Sequence, residues 1–298
     1  MCTVVISLAP ADPMPLLLMG FRDEFTGRPW QPPARHWPGS PLIGGRDEQA
    51  GGTWLAVHPA VPRVSCILNA RGPQAPADRR RSRGELPLRA ADQGHEALRE
   101  LHKDPAALAS YDPFFLVCAD LSSALLLSWD GRNADLEDLE PATHLLTNAG
   151  HLYPRTAAQK PAAQKPAAQK PAAQKAAVQE AAAQEAAAQE APEQTPPEGM
   201  PDPWAKAARF GPKFAAHRPS GDPAATIEDA WGDWLTLGRG DGLTDADAAA
   251  IVVRRELPDG RVWGTTSVSL VALGPGRLRY DFQPVPADPA TWYTVNTG

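Results

Sequence analysis

Two apolar runs open the chain, Thr3-Val4-Val5-Ile6-Ser7-Leu8 and Leu16-Leu17-Leu18-Met19-Gly20-Phe21-Arg22, and the polar break between them carries Pro10, Asp12, Pro13 and Pro15. Short β-branched and aliphatic runs bounded by proline and aspartate read as strands, and this pair predicts a hairpin. Residues 52–57 and 63–68 repeat the pattern across His58-Pro59-Ala60-Val61-Pro62. Over 92–111 the spacing changes: Ala97, Leu98, Leu101, Ala106 and Leu108 recur at helical intervals, with Pro105 starting a second short helix. Two more strands follow at 114–121 and 124–129, around Ser122-Ser123, with Asp130-Gly131 as a turn. Helices are predicted at 203–217 and 223–237. The second places Ile227, Ala230, Trp231, Trp234 and Leu235 on one face, and the tryptophan pair reads as core. The chain ends on strands at 265–273 and 277–285, joined by Gly274-Pro275-Gly276.

Strands, helices, more strands, more helices and a last hairpin predict an α+β fold of two mostly antiparallel sheets with helices outside. One segment does not fit a core. Residues 156–190 repeat with a period of five, first Ala-Ala-Gln-Lys-Pro, then Ala-Ala-Ala-Gln-Glu. The proline-bearing half cannot hold a helix, because each proline removes a donor and crowds the preceding turn. The alanine-rich half has high helix propensity but no apolar face to bury beyond Val178. Residues 155–201 therefore read as an insertion without chemistry, between two parts (1–154 and 202–298) of one domain.

Composition narrows the function. The chain has 298 residues, a net charge of −6 and three cysteines. Its one basic run, Arg79-Arg80-Arg81-Ser82-Arg83, is short and lies in a loop, so nucleic acid is not an expected partner. Cys2, Cys66 and Cys118 lack metal-ligand spacing, and the last two sit inside apolar runs as small core residues. The seven histidines show no paired ligand spacing either; His144 and His151 flank Asn148. The first apolar run has no basic flank and is broken by prolines, so neither a signal peptide nor an integral membrane segment is expected, and the cytoplasm is the default compartment. The oligomeric state is not readable.

The candidate chemistry begins at Cys2. If Met1 is removed, this thiol becomes a nucleophile whose nearest base is its own α-amine, which titrates at about pH 8. A charged cluster, Arg22-Asp23-Glu24, follows one strand later. Alternation along that strand puts Phe21, Asp23 and Phe25 on one face and Gly20, Arg22 and Glu24 on the other, so Arg22 is the residue expected to point with Cys2. Asn69, at a strand end, and Asn148 offer amide donors for an oxyanion or, equally, turn caps. Trp54, after Gly51-Gly52-Thr53, reads as core, the glycines allowing a close backbone approach.

Several blocks in order carry a resemblance: Met1-Cys2, Gly20-Phe21-Arg22-Asp23-Glu24-Phe25 with Arg28-Pro29, Gly51-Gly52-Thr53-Trp54-Leu55, Arg83-Gly84-Glu85-Leu86, Phe115-Leu116-Val117-Cys118-Ala119-Asp120-Leu121, Thr147-Asn148 and Gly264-Thr265-Thr266. Together they resemble the Transport and Golgi organisation protein 2 family, also called NRDE after its Asn-Arg-Asp-Glu motif. Phe21 stands where that motif has asparagine. The family in turn is similar to the N-terminal-nucleophile hydrolases, which implies a four-layer αββα sandwich. In their cysteine-type amide hydrolases the implied roles are Cys2 as nucleophile, Arg22 and Asp23 settling thiolate and α-amine, and Asn69 and Asn148 holding the oxyanion. No cofactor is implied for hydrolysis of an amide or thioester. The resemblance also implies a second reading, a non-catalytic carrier of haem, acyl-coenzyme A or other lipid. Either way the expected partner is a small acyl or haem-like molecule.

Overall fold

The computed structural model describes residues 3–154, 201–284 and 291–298. Met1, Cys2, most of the predicted insertion and residues 285–290 lie outside the described residues.

The expected hairpins form and supply the centres of two antiparallel sheets. The first sheet runs β11-β10-β1-β2-β13-β14-β15, with β12 paired to β13. Its strands are β1 (Thr3–Leu8), β2 (Leu16–Phe25), β10 (Thr143–Thr147), β11 (Gly150–Tyr153), β12 (Arg254–Glu256), β13 (Val262–Gly274), β14 (Arg277–Gln283) and β15 (Tyr293–Thr294). The second runs in chain order from β3 to β9: β3 (Trp30–Ala34), β4 (Ile43–Asp47), β5 (Leu55–His58), β6 (Arg63–Asn69), β7 (Phe114–Asp120), β8 (Ala124–Trp129) and β9 (Ala134–Leu139). Strands from before residue 155 and after residue 200 meet in the first sheet, where β2 pairs β13 along nearly its whole length.

Alternation along the strands then sorts the apolar residues into layers. Val4, Ile6, Leu16 and Leu18 face the second sheet and pack with Leu55, Val64, Val117 and Leu126. Val5, Leu17, Met19 and Phe21 face outward under α4 (Pro203–Ala216), α5 (Ile227–Trp231) and α6 (Asp233–Gly238), against Phe210, Phe214, Trp231 and Trp234. On the far side Ile67, Leu116 and Leu125 pack under α1 (Glu85–Gln93), α2 (His95–His102) and α3 (Pro105–Leu108). The result is helix, sheet, sheet, helix, the four-layer α+β sandwich expected. Trp231 and Trp234 are core, stacked with ring centroids 6.3 Å apart.

Two helices differ from expectation. The helical region begins at Glu85 rather than 92, since Pro87 falls in the first turn of α1, where its missing N–H costs nothing. The stretch 223–237 is two helices, broken at Gly232, whose φ of 45° is open to glycine and strained for other residues.

A close backbone crossing fixes the loops beside β4 and β5. A Cβ on Gly52 would lie 2.4 Å from the Gly84 carbonyl carbon, and Thr53 N–H donates to Gly84 O at 2.9 Å. The glycines of the two sequence blocks thus meet each other, which holds Thr53-Trp54 against the start of α1.

Candidate functional site

The register of the first sheet places the predicted residues in rows. Thr3 pairs with Phe21 on one side and Thr147 on the other, and Phe21 pairs with Val268. This row faces the helices. One step further along, Arg22 pairs with Ser267, and Asn148 follows Thr147; this row faces the second sheet. Cys2, the expected nucleophile, lies outside the described residues, and β1 starts at the next position.

Arg22 is buried at 3% exposure. Its Nη1 donates to Thr266 Oγ1 at 2.9 Å, and that hydroxyl donates back to Arg22 O at 3.0 Å. A register shift between Thr265 and Ser267 is what turns Thr266 toward the arginine. The guanidinium lies 4.5 Å from the Trp54 ring centroid, a cation–π contact, and its Nη2 is 3.5 Å from Asp47 Oδ2. Trp54 can lie flat there because position 45 is glycine: a Cβ would sit 2.3 Å from its ring. Asp47 also binds Arg28, Nε at 2.5 Å and Nη2 at 3.0 Å. Burial opposes ionisation of this carboxyl. The Arg28 hydrogen bond, the Ala50 N–H and the two guanidinium charges outweigh that and hold it below the usual carboxylate range.

Asp23 takes the opposite face. It accepts from Thr265 Oγ1 at 2.7 Å, and that hydroxyl in turn accepts from Val253 N at 3.1 Å. Both sequence-predicted charges are therefore buried and held by threonines of one strand, β13, rather than solvated.

Asn69 and Asn148 come together. Asn148 Nδ2 donates to Asn69 O at 2.7 Å, joining the end of β6 to the end of β10 across the two sheets. The β10–β11 turn is capped by Thr147, whose Oγ1 accepts from Ala149 N at 3.1 Å. Next to this junction, His144 Nε2 donates to Glu140 O (2.7 Å), which leaves Nδ1 to accept from His151 Nε2 (2.9 Å). His151 Nδ1 lies 3.1 Å from Glu137 Oε1. Because β11 and β9 are edge strands of different sheets, the His151–Glu137 contact spans the two edges. Burial, helped by the neighbouring His151, pushes His144 down to about 4 despite its bond to Glu140.

Cys66 and Cys118 are buried core thiols, both pushed up to about 12 by desolvation, and remain protonated at neutral pH. The basic loop is mostly paired: Arg80 with Asp112 (3.3 Å) and Arg81 with Glu85 (2.8 Å), while Arg83 is half-buried and donates to Pro113 O. No group of three or more His, Cys, Asp or Glu among the described residues could hold a metal ion, and no described helix is long and apolar enough to cross a membrane.

Sequence reasoning missed Asp47, Ser267 and Lys206. Lys206 is 6% exposed, and its Nζ donates to Thr3 Oγ1 at 3.1 Å. The available signal was a lysine four and eight residues before Phe210 and Phe214, on the buried face of α4. Ser267 is 1% exposed and its hydroxyl has no hydrogen-bond partner among the described residues.

Comparison with known proteins agrees with this architecture. The family profile described as Transport and Golgi organisation 2 matches residues 1–210. None of the curated proteins matches the chain in sequence. Among solved structures, the C2A mutant of conjugated bile acid hydrolase from Clostridium perfringens is similar at 11% identity, covering 99% of this chain and 92% of that one, with a TM-score of 0.53. A Caenorhabditis elegans ortholog of N-acylethanolamine-hydrolyzing acid amidase is similar at 13% identity over 50% of this chain and 70% of that one, with a TM-score of 0.30. The fold is that of the N-terminal-nucleophile hydrolases.

Proposed function

The chain belongs to the Transport and Golgi organisation 2 family, and from that premise we propose that it hydrolyses an amide or thioester through Cys2. After Met1 is removed, the α-amine takes the thiol proton and the thiolate attacks the acyl carbonyl. The tetrahedral oxyanion collapses to a Cys2 thioester, and the leaving amine or thiol departs with that proton. Water, giving a proton to the same amine, then cleaves the thioester, releases the acid and restores the thiol. Arg22 favours the thiolate, Asp23 holds the α-ammonium, and the amides of Asn69 and Asn148 serve the oxyanion.

The observation that carries this reading is the row formed by Asn148 and Arg22 on the face between the sheets, with Asn148 bonded to Asn69. Positions 4 and 6 of β1 face that same layer, and position 2 shares their parity. The bile acid hydrolase of like fold is, by its title, a mutant at a second-position cysteine. The test is intact mass and peptide mapping after brief thiol alkylation at mildly acidic pH. We expect loss of Met1 and selective labelling of Cys2, followed by turnover of an acyl amide or thioester. A retained Met1, or a Cys2 no more reactive than Cys66 and Cys118, refutes the mechanism and turns attention to binding of haem or acyl-coenzyme A.

A further inference from the structure

Lys206 is an expensive residue where it stands. A buried ammonium loses hydration, and replacing such a group by an apolar residue of similar volume is commonly neutral or stabilising. Here the ammonium hydrogen-bonds Thr3 Oγ1, and no carboxylate among the described residues pairs with it. The helix does not ask for it either. Lys206 lies near the N-terminus of α4, where the macrodipole disfavours a cation. Its neighbours on that face, Ala207, Phe210 and Phe214, are apolar and pack on Val5, Phe21 and Leu145. What the lysine reaches is the first described residue of β1, on the face of the sheet opposite Arg22.

We infer that Lys206 is a positioning residue for the N-terminal cysteine, its charge held under the start of β1 so that the Cys2 α-amine is free base at neutral pH, ready to take the thiol proton, and the thiolate so formed is stabilised. The inference rests on the reading of Cys2 as an N-terminal nucleophile. Six covalent bonds separate Thr3 Oγ1 from the Cys2 α-nitrogen, so the ammonium is held within about 10 Å of it. A unit charge at that range in a protein of effective dielectric about 20 disfavours a second cation by about one pH unit, and favours an anion in the same sense. Arg22 acts from the layer between the sheets and Lys206 from the helix layer, while Asp23, on the face opposite Arg22 and bonded to Thr265, opposes the lysine's effect on the amine and holds the ammonium once it forms.

The experiment measures the rate of Cys2 alkylation by iodoacetamide, read by peptide mapping, from about pH 5 to about pH 9 on the full chain. Lys206→Met is expected to move the midpoint upward by about one pH unit, without lowering Tm. Lys206→Arg restores the wild-type profile. Thr3→Val, which removes the hydrogen-bond partner and leaves the charge, moves the midpoint in the same direction by less. If Lys206→Met does not fold, Lys206→Gln and Thr3→Val carry the comparison. A folded Lys206 variant with an unchanged midpoint overturns the proposal, and a lower Tm with an unchanged midpoint assigns the lysine a structural role only. If Cys2 of the wild-type chain does not react at all, it is the hydrolase reading that fails, and this inference falls with it.

Discussion

Acid should break the buried His144–His151 contact between β10 and β11 before it reaches the carboxylates, and His144 sets the size of the effect. The unfolded ring takes a proton near 6.5 and the folded ring only near 4. Between those values the unfolded chain holds more protons, so stability is full above the unfolded value and falls as pH falls. A difference of about 2.5 units corresponds to about 3 kcal/mol, spread over the window at up to about 1.4 kcal/mol per unit. The structural cause is direct: protonating Nδ1 replaces the acceptor that His151 Nε2 uses with a hydrogen. The groups facing the pair are the Glu137 carboxylate from β9 and the carbonyls of Glu140 and Tyr153. Asp47 and Asp120, whose carboxyls are held low by their hydrogen bonds, lose their contributions only at more acid pH.

The assay is urea unfolding at intervals from about pH 7 to about pH 4.5, for wild type and His144→Gln. The variant is expected to be less stable at neutral pH, with a shallower dependence than wild type by roughly 2 kcal/mol across the window. Other titrating groups are common to both chains and cancel in the difference. Parallel curves would refute the argument, since they would mean that the ring does not carry the proton linkage.

Two further outcomes follow from packing. Gly52→Ala should cost about 2 kcal/mol or more and exceed Gly84→Ala, because the added carbon meets backbone at 2.4 Å in the first case and 3.1 Å in the second. Thermal unfolding of the two variants checks the order, and equal Tm values would contradict it. Phe21→Asn, which installs the residue of the family motif, should destabilise by about 3–5 kcal/mol, as truncation of a buried phenylalanine does. A loss below about 1 kcal/mol in urea unfolding would show that the helix layer repacks around the amide.

The parts of the fold legible in the sequence are those where local pattern and tertiary need coincide. The β1–β2, β5–β6 and β13–β14 hairpins combine apolar runs with proline or glycine turns. Edge strands carry weaker marks: β3 reads Trp-Gln-Pro-Pro-Ala, and β9 reads Ala-Asp-Leu-Glu-Asp-Leu, whose adjacent acidic residues break the alternation. Neither resembles a strand until a neighbour pairs with it. Likewise Arg22 and Asp23 were legible as a charged cluster, whereas their burial was not, because Thr265, Thr266 and Asp47 come from distant strands. Lys206 was the least legible. A lysine on a helix reads as solvated until the sheet beneath it is known.

The tetrapeptide Phe21-Arg22-Asp23-Glu24 is split by the sheet, and that division bears on its departure from the family motif. Phe21 is fully buried among the residues under α4–α6, while Arg22 faces Trp54 and Asp47 on the other side. Trp54, Asp47 and Thr266, which hold Arg22, lie off the Phe21 face, and these contacts do not require an amide at position 21. The change acts elsewhere. Phe21 is the cross-strand partner of Thr3, and Thr3 is the residue that Lys206 binds. An asparagine in that row would bring a dipole able to solvate the ammonium, whereas the phenylalanine ring leaves it in apolar surroundings. A charge in a less polar setting is less screened, so it acts more strongly on its neighbours. On the reading proposed above for Lys206, Phe21 therefore leaves the ammonium less screened at the start of β1, while Arg22 is set on the other face by Trp54, Asp47 and Thr266.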